Sequence, residues 1–238
     1  MSPLIRSAFF TLSALAFGAC AMEVGNGHVV PQQRTVSAFS KVSVGSGIRA
    51  TIARGDRAVT LTADENLHAF LQVFVENDTL IVRKVPNFTL NPTATIVADI
   101  SNPLLVGLDV SGGAHVNADA TEAVEWRLNA SGGSTAALSR LEATQVIVNA
   151  SGGSHVDVFG LAQSAIVDAS GGSQVDTDGV AAQDVTVNAS GGSTLHVRAS
   201  KSAQGNASGG STVTVTGNPL TRSIDTSGGS RVTYSGNE

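Results

Sequence analysis

Two carboxylates and two imidazoles are the residues of this chain best placed to do chemistry. The runs Ser154-His155-Val156-Asp157 and Ser173-Gln174-Val175-Asp176 start at the same offset from a preceding Gly-Gly pair, and Ser193-Thr194-Leu195-His196 continues the series. If those runs stack, Asp157, Asp176 and His196 become lateral neighbours. Paired acids, or an acid with a base, are what polysaccharide hydrolases and lyases use to move protons at a glycosidic bond. The opposing reading is a solvated outer face, and the sequence favours it. His28, His68 and His115 fall at no ligand spacing. The serines of the Ser-Gly-Gly motif have no recurring histidine or acid beside them. A motif repeated seven times also points to structure, since a nucleophile is needed once.

Those runs belong to a repeat, and the repeat sets the elements that position them. Ser-Gly-Gly recurs at Ser111, Ser131, Ser151, Ser170, Ser190, Ser208 and Ser227, in steps of 18 to 20 residues. Two positions before each serine stands Asp109, Asn129, Asn149, Asp168, Asn188, Asn206 or Asp225. After each Gly-Gly comes Ala114 once, then Ser134, Ser154, Ser173, Ser193, Ser211 and Ser230. Period-2 alternation flanks every copy: Val185, Val187 and Ala189 share one face, Thr186, Asn188 and Ser190 the other. Each unit reads as a strand, a Gly-Gly bend, a second strand and a return. A propeller blade needs about 40 residues and a leucine-rich repeat needs its own leucine pattern. A coil of about twenty residues predicts an all-β, single-stranded parallel β-helix with equivalent residues about 4.8 Å apart. The serine after Gly-Gly is expected inside, and the Asn/Asp positions are expected to form a structural ladder linked by side-chain amides.

The same ladder bears on metal binding. Glycine-rich β-helix repeats that hold calcium carry a later Gly-x-Asp, which is missing here, and four of the seven ladder positions are neutral asparagine. No cofactor is expected. A Thr face of the ice-binding kind begins at Thr194, Thr212 and Thr214 but is interrupted by His115, His155 and Arg231.

Composition narrows the function classes. Hydrophobic residues make up 42 % and charged residues 14 %, which argues against a disordered chain. Aromatics are only 4 % and the net charge is −5, so neither the cationic face nor the stacking rings of a nucleic-acid binder are present. The sole cysteine, Cys20, excludes an intrachain disulfide framework.

Residues 1–21 read as a signal sequence: Arg6 precedes a short apolar stretch too brief for a membrane span. Two processing readings are open. Ala19-Cys20-Ala21 fits an A-x-A cleavage site that leaves Met22 first. Phe17-Gly18-Ala19-Cys20 fits a lipobox that makes Cys20 the lipidated N-terminus. Either reading predicts export to the periplasm, outer membrane or cell surface, with membrane contact only through that anchor. No later segment is long and apolar enough to span a bilayer. Residues 22–37 are expected to be a tether and residues 38–238 the domain, divided into an irregular N-terminal β cap (38–107) and seven coils (108–238). Within the cap, residues 41–48 resemble a degenerate first coil, Glu76-Asn77-Asp78 turns a hairpin, and Asp64-Glu65-Asn66-Leu67 forms a helical turn. Few residues follow the last Ser-Gly-Gly, so self-association at that end is a further expectation.

The run Phe39-Ser40-Lys41-Val42-Ser43-Val44-Gly45-Ser46-Gly47-Ile48 resembles the opening of the bacterial auto-transporter adhesin head domain, the GIN or DUF2807 family. Ala63-Asp64-Glu65-Asn66 and the hairpin ending Asn77-Asp78-Thr79-Leu80-Ile81-Val82 fit the same family, as do the Ser-Gly-Gly coils. The resemblance covers about residues 38–220. It implies a right-handed β-helix similar to pectin-lyase-like folds, export and an adhesive role. It carries over no catalytic residue. This chain departs from the family in the regularity of its Ser-Gly-Gly-Ser coils. The reading that follows is an exported, non-enzymatic binding or adhesion module whose partner is a glycan or an envelope or cell-surface protein. A carbohydrate-active enzyme and a purely structural envelope spacer are the alternatives.

Overall fold

The computed structural model describes residues 21–236. Among the described residues there are nineteen strands and one short 3-10 helix, η1 (Glu65–Phe70). The chain is a parallel β-helix. The strands that matter most are β10 (Gly107–Val110), β11 (His115–Asp119), β12 (Ala123–Ala130), β13 (Thr135–Ala150), β14 (His155–Ala169), β15 (Gln174–Ala189), β16 (Thr194–Ala207), β17 (Thr212–Thr216), β18 (Thr221–Thr226) and β19 (Arg231–Tyr234). Successive coils pair in parallel and in the register the repeat dictates: Asn129 meets Asn149, Asn149 meets Asp168, and Val156 meets Val175.

Alternation decides what lies inside. Before each corner Leu128, Val148, Val167 and Val187 form an inward column, and after it Val156, Val175, Leu195 and Val213 form another; all are essentially solvent-free. Small β-branched and alanine side chains fill a narrow interior that larger residues would overpack. The corner itself needs glycine. Gly191 has φ of 64°, and a Cβ there would approach the Gly171 nitrogen of the previous coil to 3.0 Å. The serines that follow five of the corners, Ser134, Ser154, Ser173, Ser193 and Ser211, are buried and point inward. Ser154 Oγ donates to the Ala130 carbonyl at 3.2 Å, and Ser193 Oγ to the Ala169 carbonyl at 3.2 Å. A buried hydroxyl is thus satisfied by the coil before it.

The run at residues 41–48 does form the coil that precedes the seven. β3 (Lys41–Val44) and β4 (Arg49–Arg54) pair in parallel with β10 and β11, and Gly47 N–H donates to the Gly112 carbonyl at 3.0 Å. β6 (Leu71–Glu76) and β7 (Thr79–Lys84) form the antiparallel hairpin, with Asn77 and Asp78 both at positive φ, as a two-residue type I′ turn requires. β5 (Ala58–Asp64) and β9 (Val97–Asn102) pair antiparallel beside β4.

The expected tether is corrected by the structure. Residues 21–37 are docked: β1 (Ala21–Val24) pairs in parallel with β8 (Phe88–Asn91), and β2 (Val29–Gln33) pairs antiparallel with β5. The segment is fastened by polar contacts. Asn66 donates to the Val24 carbonyl at 2.8 Å and accepts from Asn26 N–H at 3.0 Å. Glu65 N–H donates to the His28 carbonyl at 2.9 Å. Asp64, fully buried, accepts from Gly27 N–H at 2.8 Å and from both the N–H and the hydroxyl of Thr93. No residue of β2 is fully buried, so the segment lacks the apolar alternation that announces a strand. Residues 1–20, which include Cys20 and all but the last residue of the expected signal sequence, lie outside the described residues.

The latch gives a pH prediction. The Thr93 hydroxyl holds the Asp64 carboxyl below its ordinary value; burial opposes this, and the backbone N–H groups of Thr93, Gly27 and Asp64 itself reinforce it. A lowered folded pKa stabilises the fold fully above the ordinary carboxylate range, and that contribution is lost as pH falls through the folded value. Thermal melts of the wild type should therefore decline below about pH 4. Asp64→Asn should melt lower at neutral pH and show a flatter acid limb; an unchanged acid limb would place the titration elsewhere.

Candidate functional site

The outer surface carries three polar arrangements. The first is the face after the corner. Register places Asp157 beside Asp176 and Asp176 beside His196. His155 Nε2 lies 3.2 Å from Asp157 Oδ2, with both side chains partly exposed. Together with Gln174 and Thr194 they line a shallow depression of about 140 Å³. Asp176 Oδ1 also accepts from Asp178 N–H at 2.9 Å, so that carboxylate helps hold the next turn of the chain. The depression is open, and nothing in it excludes water as a catalytic cleft does. Among the described residues no three His, Cys, Asp or Glu side chains converge as metal ligands. The Thr rows are broken in space as in sequence: Thr194 and Thr212 run into Arg231, and Thr214 lies beside His196.

Two residues beyond Asp176 in β15 sits a group that sequence reading did not single out. Asp178 binds Arg198 Nη2 at 3.3 Å and also accepts from the Thr216 hydroxyl two coils away. Burial alone would raise its carboxyl, but the hydrogen bonds of Thr216 and Arg198 and the charges of Arg198 and His196 hold it below its ordinary value. This group clamps three successive coils.

The second arrangement is the Asn/Asp column before the corner. Asn129 Nδ2 donates to Asp109 Oδ1 at 2.5 Å and Asn149 Nδ2 to Asn129 Oδ1 at 2.8 Å. A new run starts at Asp168, which accepts from Asn188 Nδ2 at 2.7 Å, and Asn206 donates on to Asn188 at 3.4 Å. Every bond points towards the N-terminal coil. A carboxylate can accept in this direction but cannot donate, so Asp109 and Asp168 each head a run. Asp225 follows Asn206 in register. Asn149→Asp should remove a donor and set two carboxylates side by side at 149 and 168. It should lower stability by about 1–2 kcal/mol. Urea denaturation checks this, and a neutral result would mean the column contributes no net stability.

The third arrangement is a notch of about 410 Å³ over Gly107, bordered by Lys41, Asp109, Glu125, Arg127 and Asn129. Sequence reading missed it because it occurs once. Counting back four residues from each Ser-Gly-Gly serine would have found it: the position is Gly107 in one coil and Arg127, Ile147, Ile166 and Thr186 in those that follow.

The remaining histidines are accounted for locally. His28 pairs with Glu65 at 3.2 Å, and His115 Nδ1 lies 3.1 Å from the Gly113 carbonyl. His68 is buried beside Arg34 and the Val30 carbonyl.

Comparison with known proteins bears on the fold and the family. The chain is similar to a putative adhesin from Bacteroides fragilis, with a TM-score of 0.84 at 17 % identity over 90 % of this chain and 100 % of the other. It is similar to a putative lipid binding protein from Parabacteroides distasonis, with a TM-score of 0.71 at 17 % identity, covering 90 % and 99 %. A putative adhesin from the same organism gives 0.69 at 18 %, covering 90 % and 100 %. At these identities the likeness shows the fold. No curated protein matches the chain. A family model described as putative auto-transporter adhesin, head GIN domain, matches residues 38–219. With that match spanning most of the sequence, and the corners, hairpin and Asp64-Glu65-Asn66 latch in place, the chain belongs to the auto-transporter adhesin head GIN-domain family.

Proposed function

We propose that this chain is an exported, non-catalytic binding head of the bacterial envelope that engages a glycan or an envelope or cell-surface protein through its long flat faces. The observation that carries the reading is membership of an adhesin-head family across residues 38–219. The surface supports it. The faces of the coils present half-exposed Asn, Asp, Thr, His and Arg side chains at strand spacing, which suits many weak contacts along an extended partner. The acids at 157 and 176 lie in an open depression, with Asp157 paired to His155 and Asp176 accepting from the Asp178 N–H.

A screen of the purified domain against glycans, envelope proteins and lipid vesicles tests this reading. Lipid is included because one protein of the same fold is described as a putative lipid binder. Saturable binding to a glycan or protein is expected. Binding to vesicles alone would replace the proposed ligand class, and binding to nothing would leave a structural spacer. Export is read separately by mass spectrometry of the mature protein: Met22 as an unmodified N-terminus excludes a lipid anchor, and a diacylated Cys20 establishes one.

A further inference from the structure

We infer that the notch over Gly107 is a subsite for the carboxylate-bearing sugar unit of an acidic glycan. The inference rests on the binding-head reading above and adds a ligand class and a position to it. Strand register puts Lys41, Gly107 and Arg127 in one outward column, with Gly107 in the middle. Neighbouring strands lie about 4.8 Å apart, so the two cationic residues flank a gap roughly 10 Å wide between their Cα atoms. Glycine makes the gap, since the coils on either side carry long side chains at this position. The stem of Lys41 leans over it: a Cβ on residue 107 would sit 3.1 Å from Lys41 Cγ.

The polar groups are suited to an acidic sugar rather than to a bare anion. Among the described residues Lys41 has no ion-pair partner, and Arg127 gives one nitrogen to Glu125 at 3.0 Å, leaving its other N–H donors without partners. These donors match a carboxylate. Glu125 and Asp109 bring the formal charge of the notch back to zero, which disfavours a dense anion such as phosphate, while their oxygens accept from hydroxyls. Along the column beyond Arg127 stand Ile147 and Ile166, half-buried on the outer face, beside the amides of Asn129 and Asn149. A following sugar ring would find an apolar platform with hydrogen-bonding amides along one edge. The volume of about 410 Å³ accommodates one or two sugar units.

Calorimetric titration of the whole domain with a uronic-acid trisaccharide, its methyl ester and inorganic phosphate tests the assignment. The acid should bind at least about tenfold tighter than the ester, because only the acid makes charge-assisted hydrogen bonds to Lys41 and Arg127. Gly107→Val fills the notch without a strained backbone, and Lys41→Met removes the unpaired charge while keeping the stem. Lys41→Met should weaken the acid about tenfold and leave the weak affinity for the ester in place, whereas Gly107→Val should weaken both ligands. If Gly107→Val does not fold, Lys41→Met decides. Equal affinity for acid and ester, undiminished binding in Lys41→Met, or phosphate binding as tight as the sugar would overturn the assignment. If a neutral glycan or a protein binds and the acid does not, this subsite falls while the binding-head reading stands. If nothing binds, both fall.

Discussion

Trp126→Ala should lower the unfolding free energy by about 3–5 kcal/mol, the cost expected when a large aromatic is removed from a core that cannot collapse. Trp126 is the only tryptophan and is fully buried. It occupies the inward position that Val146, Ala165, Val185 and Ala203 fill in later coils. The interior at that position therefore holds a larger side chain than in any of those later coils. It is where the regular coils meet the cap, and the indole fills it. Nε1–H donates to the Leu105 carbonyl at 2.8 Å, an oxygen that the Thr121 N–H and hydroxyl also reach. Because that carbonyl keeps two donors, Trp126→Phe should cost less, about 1–2 kcal/mol. Chemical denaturation of both variants measures the difference. A small loss in Trp126→Ala would mean the two parts of the domain do not share one core.

Gly191→Val should be comparably damaging, at about 3 kcal/mol or more, and more damaging than Gly192→Val. Both glycines have positive φ, 64° and 77°, so a β-branched residue is strained at either. Their surroundings differ. A Cβ on Gly191 would sit 3.0 Å from the backbone nitrogen of Gly171, whereas a Cβ on Gly192 meets nothing within 4 Å. The gap between the two variants thus isolates the close approach of coil to coil from the backbone preference alone. Equal losses would show that the first glycine is needed only for its φ.

These corners were the most legible part of the sequence, because repetition multiplies a weak local signal by seven. Strand alternation around each Ser-Gly-Gly was enough to place Ser134, Ser154, Ser173, Ser193 and Ser211 inside and to set the coil length, while Ser230 in the last coil is only half-buried. The cap was harder. The hairpin at Asn77-Asp78 declared itself through its turn residues. β2, with no fully buried residue, offers no alternation and reads in sequence as a tether; its attachment depends on Asp64, Glu65 and Asn66, which lie about forty residues away in sequence. The candidate sites divide in the same way. Asp157, Asp176 and His196 were brought together by counting register, and the structure sets them side by side. The Gly107 notch and the Asp178–Arg198–Thr216 clamp each occur once, so no repeat pointed to them. Gly107 in particular works through a missing side chain, which a search for reactive residue types passes over.

The proposed binding head would hold an extended ligand on its outer faces and leave it chemically intact. The direct measurement is to incubate the purified domain with the glycan it retains best, over hours, and to quantify both bound ligand and chain length of the recovered glycan. Saturable, reversible binding with the glycan recovered uncleaved is expected, for the wild type and for Asp157→Asn alike. Shortened or unsaturated products from the wild type that vanish in Asp157→Asn would contradict it and make the face around Asp157 and Asp176 an active site.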